Sequence, residues 1–211
     1  LGVGDLLDEV CAQFPEGADT SEDEDEIKVA VIGRPNAGKS SLINKILGEN
    51  RLIVSNIAGT TRDAIDSRFE HNGDKYLIID TAGMRKRGKI DENVERYSVI
   101  RSLAAVDRSD VCIIMLDANE GITEQDTKIA GYAHEQGKAC IIAVNKWDIL
   151  ENKNDKSVKE FTDRLREEFA YMSYASIVFI SAKTGQRIDK LLDEIKRINI
   201  QHKRRITTGM L

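Results

Sequence analysis

Cysteine is scarce in this chain, no apolar run approaches the length of a membrane span, and neither sign of charge dominates. The 211 residues contain three cysteines, Cys11, Cys112 and Cys140. An odd number at wide spacing argues against a disulfide framework or a cysteine-based zinc site and fits reduced thiols in a cytoplasmic protein. Cys112 and Cys140 lie inside apolar runs and are expected in the core. A spanning helix needs about 20 consecutive apolar residues. Nothing here supplies them, so no membrane association is expected. The first residues also lack the basic-then-apolar pattern of a secretory signal. The formal charge is -5, and residues 22–26 contribute five negative charges by themselves. The rest of the chain is near neutral, so net charge does not point to nucleic acid.

A chain of this length holds one sizeable domain plus tails. Residues 19–26 are acidic, small and polar, and read as a solvated linker. From 27 to 198, strand-like apolar runs alternate with helical patterns. This predicts an α/β fold with helices on both faces of a mostly parallel sheet. Six strands are expected, at 27–32, 65–71, 75–80, 111–116, 139–144 and 176–180. The runs at 111–116 and 139–144 are continuously apolar, as strands buried on both faces are. Asn72-Gly73 is a hairpin signal, so one edge strand is expected to be antiparallel. Helices are expected at 92–105, 123–136, 156–170 and 188–200. Leu-Leu-Asp-Glu recurs near the two ends, at 6–9 and 191–194. Either two amphipathic helices agree by coincidence, or residues 1–18 are the last helix of a preceding, related domain.

The segment Gly33-Arg34-Pro35-Asn36-Ala37-Gly38-Lys39-Ser40 fits G-x-x-x-x-G-K-[ST] and leads into a helix beginning Ser41-Leu42. Glycines leave room for a phosphate against bare backbone N–H groups. Lys39 can reach the outer phosphates, the Ser40 hydroxyl can bind Mg²⁺, and the helix start presents its positive end to the anion. Asp80-Thr81-Ala82-Gly83 follows the third strand. There a carboxylate can support the metal through water, and the Gly83 N–H can contact a γ-phosphate. Asn145-Lys146-Trp147-Asp148 follows the fifth strand and selects the base. An ionised Asp148 can accept from guanine N1–H and N2–H, a donor pair that adenine lacks. A buried acceptor left unpaired rejects the wrong base strongly. Asn145 can bind the base edge and brace the loop, and the Lys146 stem can lie on the ring. Ser181-Ala182-Lys183, after the sixth strand, offers backbone N–H groups to guanine O6. Gly59-Thr60-Thr61-Arg62-Asp63 places a hydroxyl where it can close over Mg²⁺. Singly, each of these last two segments is an ordinary turn.

In this order the five segments resemble the G domains of GTP-binding proteins, over nearly all of 27–198. Residues 80–89 (Asp-Thr-Ala-Gly-Met-Arg-Lys-Arg-Gly-Lys), residues 95–101 and Asn145-Lys146-Trp147-Asp148 resemble the second G domain of the Der (EngA) family. Members of that family carry two tandem G domains followed by a KH-like domain. The resemblance implies a P-loop NTPase G domain at 27–198, the tail of a preceding G domain at 1–18, and a basic lead-in to a KH-like domain at 199–211. It also implies hydrolysis of GTP to GDP with Mg²⁺, held directly by Ser40 and Thr61 with Asp80 in support. The implied setting is assembly of the large ribosomal subunit, with rRNA contacted by the full-length protein. Ala37 and Asn56 stand where the family usually has Val and Asp; neither position is assigned to Mg²⁺ or guanine.

Met84 occupies the place of a water-orienting Gln in many small GTPases, a role that a thioether cannot fill. Similar GTPases with an apolar residue there use K⁺ beside the phosphates. The resemblance then implies Asn36 and the backbone carbonyls of Ser55 and Ile57 as its ligands. The alternative is an arginine, Arg85 or Arg87 in cis or one from a partner. Phosphoryl transfer is catalysed mostly by positioning and charge stabilisation. Lys39, Thr61, Asn36 and Gly83 are the residues expected to carry it. Arg85, Lys86, Arg87 and Lys89 are either solvated loop charge or a contact for RNA or a neighbouring domain. Two other readings stay open: an ATPase or nucleoside kinase with the same phosphate loop, and a regulatory nucleotide-binding domain with little turnover. The fragment is expected to be monomeric.

Overall fold

Strands form where the apolar runs are, and amphipathic helices form between them. The structure, a computed structural model, describes residues 26–49, 56–58, 65–80, 103–150 and 155–204. β1 (Ile27–Ile32) is followed by α1 (Lys39–Glu49), the short β2 (Asn56–Ala58), β3 (Ile65–His71) and β4 (Asp74–Ile78). A helical segment at 103–108 precedes β5 (Val111–Asp117), α2 (Glu124–Glu135) and β6 (Ala139–Asn145). The described chain closes with α3 (Asp155–Glu168), a 3-10 turn (Ala170–Met172), β7 (Ser176–Phe179) and α4 (Ile188–His202).

The strands make one sheet in the order β2-β3-β4-β1-β5-β6-β7. β4, β1, β5, β6 and β7 are parallel to one another, while β3 is antiparallel to both β4 and β2. The six expected strands are all present. The seventh, β2, pairs outside β3 from Asn56↔Ser67 to Ala58↔Ile65, so the antiparallel strand sits one place in from the edge. Three residues carry no readable period, and β2 exists only through its neighbour. Asn72 (φ 52°) and Gly73 (φ 82°) are both left-handed, the backbone that a two-residue turn matched to strand twist demands.

Alternation along the strands sends side chains to two cores. Val29, Val31, Ile113, Met115, Ile141 and Ala143 meet Leu42, Ile43 and Ile46 of α1 and Leu191, Leu192 and Ile195 of α4. On the other face Ala30, Ile32, Cys112, Ile114, Cys140 and Ile142 meet Ile129, Ala130 and Ala133 of α2 and Leu165 of α3. Every residue of β5 and β6 is buried, as a sheet covered on both faces requires. Burial also pushes the Cys112 thiol up to about 11 and the Cys140 thiol up to about 12. Glu26 departs from the expected solvated linker. It is 4 % exposed and pairs with Arg68 of β3 at 2.7 Å, so the last charge of the acidic run belongs to the sheet. The expectations for 1–18, for 19–25, for the helix at 92–102 and for 205–211 lie outside the described residues.

Because the parallel strands share one direction, the C-terminal ends of β4, β1, β5, β6 and β7 open along one rim. Chain order reverses at β1, which has β4 on one side and β5 on the other. Ligands of open α/β sheets bind at such a switch point.

Candidate functional site

The loop after β1 lies across that switch point and runs directly into α1. Gly33 has φ 141°, and a Cβ there would lie 2.5 Å from the Met115 carbonyl oxygen. Gly38 has φ 101°, and a Cβ there would lie 2.0 Å from Nδ2 of Asn145. These glycines are therefore required by close packing against β5 and β6. Asn36 is exposed in the left-handed region at φ 63°, a conformation that Asn tolerates. Pro35 is exposed beside it, and Ala37 is buried. The Lys39 ammonium donates to the carbonyls of Gly33 (2.6 Å) and Arg34 (2.7 Å), so it lies over the loop it serves. Ser40 and Ser41 occupy the first turn of α1, beside its positive end.

Asp80 follows β4, next to β1 in the sheet, and is left-handed at φ 55°. Its N–H donates to Oδ1 of Asp66 on β3 at 2.9 Å, and Asp66 also pairs with Arg108. Thr81, Ala82, Gly83 and Met84, together with Ser55, Thr61, Arg85 and Arg87, lie outside the described residues. Of the three K⁺ ligands implied by resemblance, Asn36 is the one whose side chain is described; Ile57 is placed by its backbone in β2.

Asn145 ends β6 and joins three loops. Its Nδ2 donates to the Ala37 carbonyl at 2.8 Å, and its Oδ1 accepts from the Ala182 N–H at 2.9 Å. Both bonds are buried, so the brace half of the expected role is realised. Ala182 N–H, offered by the sequence to guanine O6, is engaged by Asn145. Lys146 is left-handed at φ 62°, and its ammonium pairs with Oδ2 of buried Asp117 at the end of β5. That anchor fixes the direction of the aliphatic stem. The Trp147 ring belongs to the core: it is 4 % exposed and packs against Phe179 (4.4 Å between centroids) and Phe161 (5.8 Å). An indole so placed holds the loop down. Asp148 follows, half-buried. Ser181 is buried and its hydroxyl oxygen accepts from the Thr184 N–H at 3.1 Å. Lys183 is exposed.

Arg34, a wildcard in the motif, has its own partners. Its Nε lies 2.9 Å from Oδ1 and 2.9 Å from Oδ2 of Asp126, and a second nitrogen lies 3.0 Å from Oε2 of Glu120. Sequence reasoning missed Asp66, Asp117 and Asp126. Asp117 carried the same signal as Asp80, an acid at the end of an apolar strand. Asp126 stands three residues after Thr123 at a helix start, the spacing of a capping pair.

The donor set suits a magnesium-bound nucleotide. Ser40 and Asp80 supply hard oxygens, which Mg²⁺ prefers. Lys39 and the start of α1 supply positive charge for phosphates. The Asn36 amide oxygen is equally a hard donor. No helix among the described residues is long and apolar enough to cross a membrane.

A family model described as "50S ribosome-binding GTPase" matches residues 28–146. GTPase Der of Ruminiclostridium cellulolyticum is 62% identical over 211 residues, which is 100% of this chain and 48% of that protein. The chain thus spans about half the length of the curated relatives it matches. Among solved structures, an Era variant from Aquifex aeolicus bound to GDP and aluminium fluoride is 28% identical, with a TM-score of 0.63 over 82% of this chain and 57% of that one. Era in complex with MgGDPNP and nucleotides 1506–1542 of 16S ribosomal RNA gives the same figures: 28%, 0.63, 82% and 57%.

Proposed function

Because the chain belongs to the 50S ribosome-binding GTPase family, we propose that it binds GTP and GDP and hydrolyses GTP. The observation that carries this reading is the bridge at Asn145. One side chain ties the phosphate loop at Ala37 to the base-binding end at Asn145-Lys146-Trp147-Asp148 and to the loop at Ala182. A site so joined recognises phosphate and base as one molecule. Asp148 is the acceptor for guanine N1–H and N2–H, and the Lys146 stem covers the ring with its ammonium held on Asp117. Lys39 neutralises the outer phosphates, and Gly83 donates to the γ-phosphate. Ser40 and Thr61 with Asp80 would hold Mg²⁺, and Asn36 with the Ser55 and Ile57 carbonyls would hold K⁺; bound there, these cations neutralise charge on the β- and γ-phosphoryl oxygens. Arg34 is occupied by Asp126 and Glu120, which leaves it poorly placed to act as an arginine finger.

Two measurements test the reading. GDP should displace a fluorescent guanine nucleotide at far lower concentration than ADP, and equal competition would point to an ATPase or kinase. GTP hydrolysis should run faster in K⁺ than in Na⁺, with Asn36→Ala removing the difference. Equal rates in both salts would remove K⁺ from the site. In the full-length protein, the cytoplasmic setting is assembly of the large ribosomal subunit, with a preceding G domain and a KH-like domain as neighbours. The Era complex with 16S RNA supports an rRNA partner by analogy alone.

A further inference from the structure

We propose that Asp126, acting through Arg34, is a positioning residue that sets the shape of the phosphate loop; this rests on the nucleotide-binding reading above. The Asp126 side chain is fully buried, at 0 % exposure. Its Oδ2 accepts from the Thr123 N–H (3.0 Å) and the Thr123 hydroxyl (2.8 Å), and Arg34 Nε reaches both carboxylate oxygens at 2.9 Å. A buried carboxylate is tolerated when it is paired and hydrogen-bonded. Here the pairing cation comes from the phosphate loop itself.

The effect on the loop follows the chain of contacts. The Arg34 side chain is drawn toward α2 by Asp126, by Glu120 (3.0 Å) and by the Gly121 carbonyl (3.5 Å). The Arg34 carbonyl then accepts from the Lys39 ammonium at 2.7 Å and from the Ala37 N–H at 3.4 Å. The side chain that Asp126 holds therefore belongs to the residue whose carbonyl supports the phosphate-binding lysine. The loop after β5, which supplies Glu120 and Gly121, also reaches the base half of the site. Gly121 N–H donates to the Asp117 carbonyl at 3.0 Å, and the Asp117 carboxylate holds Lys146. Residues 117–126 contain nothing assigned to the nucleotide, yet they are fixed to both halves of its site. Arginine is suited to position 34 because its planar fork spans three acceptors, which a lysine ammonium on a single point cannot match.

A helix cap alone would also explain a buried Asp126, and a double-mutant cycle separates the two roles. GDP affinity is measured for the 211-residue chain and for Asp126→Asn, Arg34→Gln and the double variant, with thermal unfolding recorded for each. Positioning through Arg34 gives each single variant about a tenfold weaker Kd, with the double variant no weaker than the worse single. Arg34→Lys recovers part of the loss. The ratio of GDP to IDP affinity stays at its wild-type value in every variant, because inosine differs only at the base. Unchanged affinity in both singles, or losses that add in the double, would overturn the proposal. Should Asp126→Asn fail to fold, the proposal stands or falls on Arg34→Gln against Arg34→Lys: a tenfold loss partly recovered supports it, and equal affinities refute it. Wild-type chain that binds no guanine nucleotide would instead refute the nucleotide reading itself.

Discussion

Replacing Asn145 by alanine tests whether this residue is mainly a ligand of the base or mainly a brace. The side chain is 3 % exposed, with one bond to the Ala37 carbonyl at 2.8 Å and one to the Ala182 N–H at 2.9 Å. Truncation leaves a buried acceptor and a buried donor without partners. Each such loss costs about 1–3 kcal/mol, and removing the buried amide itself returns part of the sum. The expected destabilisation is about 3 kcal/mol, which lowers the midpoint of thermal unfolding by about 6–12 °C in a domain of this size. The measurement must be made on nucleotide-free protein, by urea denaturation and by heat. There a base contact contributes nothing, while a brace contributes in full. GDP affinity should fall as well, since the loops that Asn145 joins would no longer be held together. Wild-type stability in nucleotide-free Asn145→Ala, together with weakened GDP binding, would show that Asn145 serves the base alone and would refute the brace.

Gly33→Ala should destabilise by about 3 kcal/mol from strained backbone and overpacking, because its Cβ would meet a backbone carbonyl at 2.5 Å that cannot swing away; near-wild-type denaturation midpoints would contradict this. Trp147→Ala should cost about 4 kcal/mol, as emptied aromatic core sites do, whereas Trp147→Phe should keep GDP affinity within about threefold if the ring is core; a large affinity loss at unchanged stability would return the indole to the nucleotide. Thiols react as thiolates, and the Cys112 and Cys140 pKa values raised to about 11 and about 12 keep both protonated below that range. At pH near 8 the native protein should therefore expose no more than one reactive thiol per chain to an aromatic disulfide reagent, with Cys112 and Cys140 reacting only after unfolding or toward strongly alkaline pH; immediate reaction of all three in native protein would contradict the buried placement.

The parts of the fold legible in the sequence were those whose signal is local. The apolar runs at 111–116 and 139–144 became β5 and β6 with one residue added to each, and Asn72-Gly73 became a two-residue turn. β2 was invisible because its three residues are organised by β3. The glycines and lysine of the phosphate loop were legible because phosphate chemistry fixes their spacing. Arg34 was not, since its partners Glu120 and Asp126 stand more than eighty positions away and only the sheet order brings them near. The core packing of Trp147 was not legible for a related reason: Phe161 and Phe179, which enclose it, come from α3 and the end of β7.

The braces have a common construction that bears on how such a site works. Asn145, Asp117 and Asp126 are all buried, and each joins a loop at one strand end to a neighbouring loop through a polar group. Apolar packing would hold these loops with less desolvation cost, but it tolerates small shifts in register. Hydrogen bonds and ion pairs in a dry environment fix direction as well as distance, and they are costly to leave unmade. Under the proposed function, phosphate positioning needs that directional precision, because small misplacements cost much of the rate. Asp80 marks where the construction changes. It is left-handed, a conformation that costs a non-glycine residue about 1 kcal/mol or more, and its N–H rests on Asp66, which also pairs with Arg108. The rim that runs from β4 to β7 thus has, at its β4 end, a residue whose N–H is held by an acid on the antiparallel strand. A change at Asp66 would reach Asp80 while leaving the bonds at Asn145, Asp117 and Asp126 intact; under the proposed function, that pair is the boundary between the part of the site that holds the nucleotide and the part that responds to its γ-phosphate.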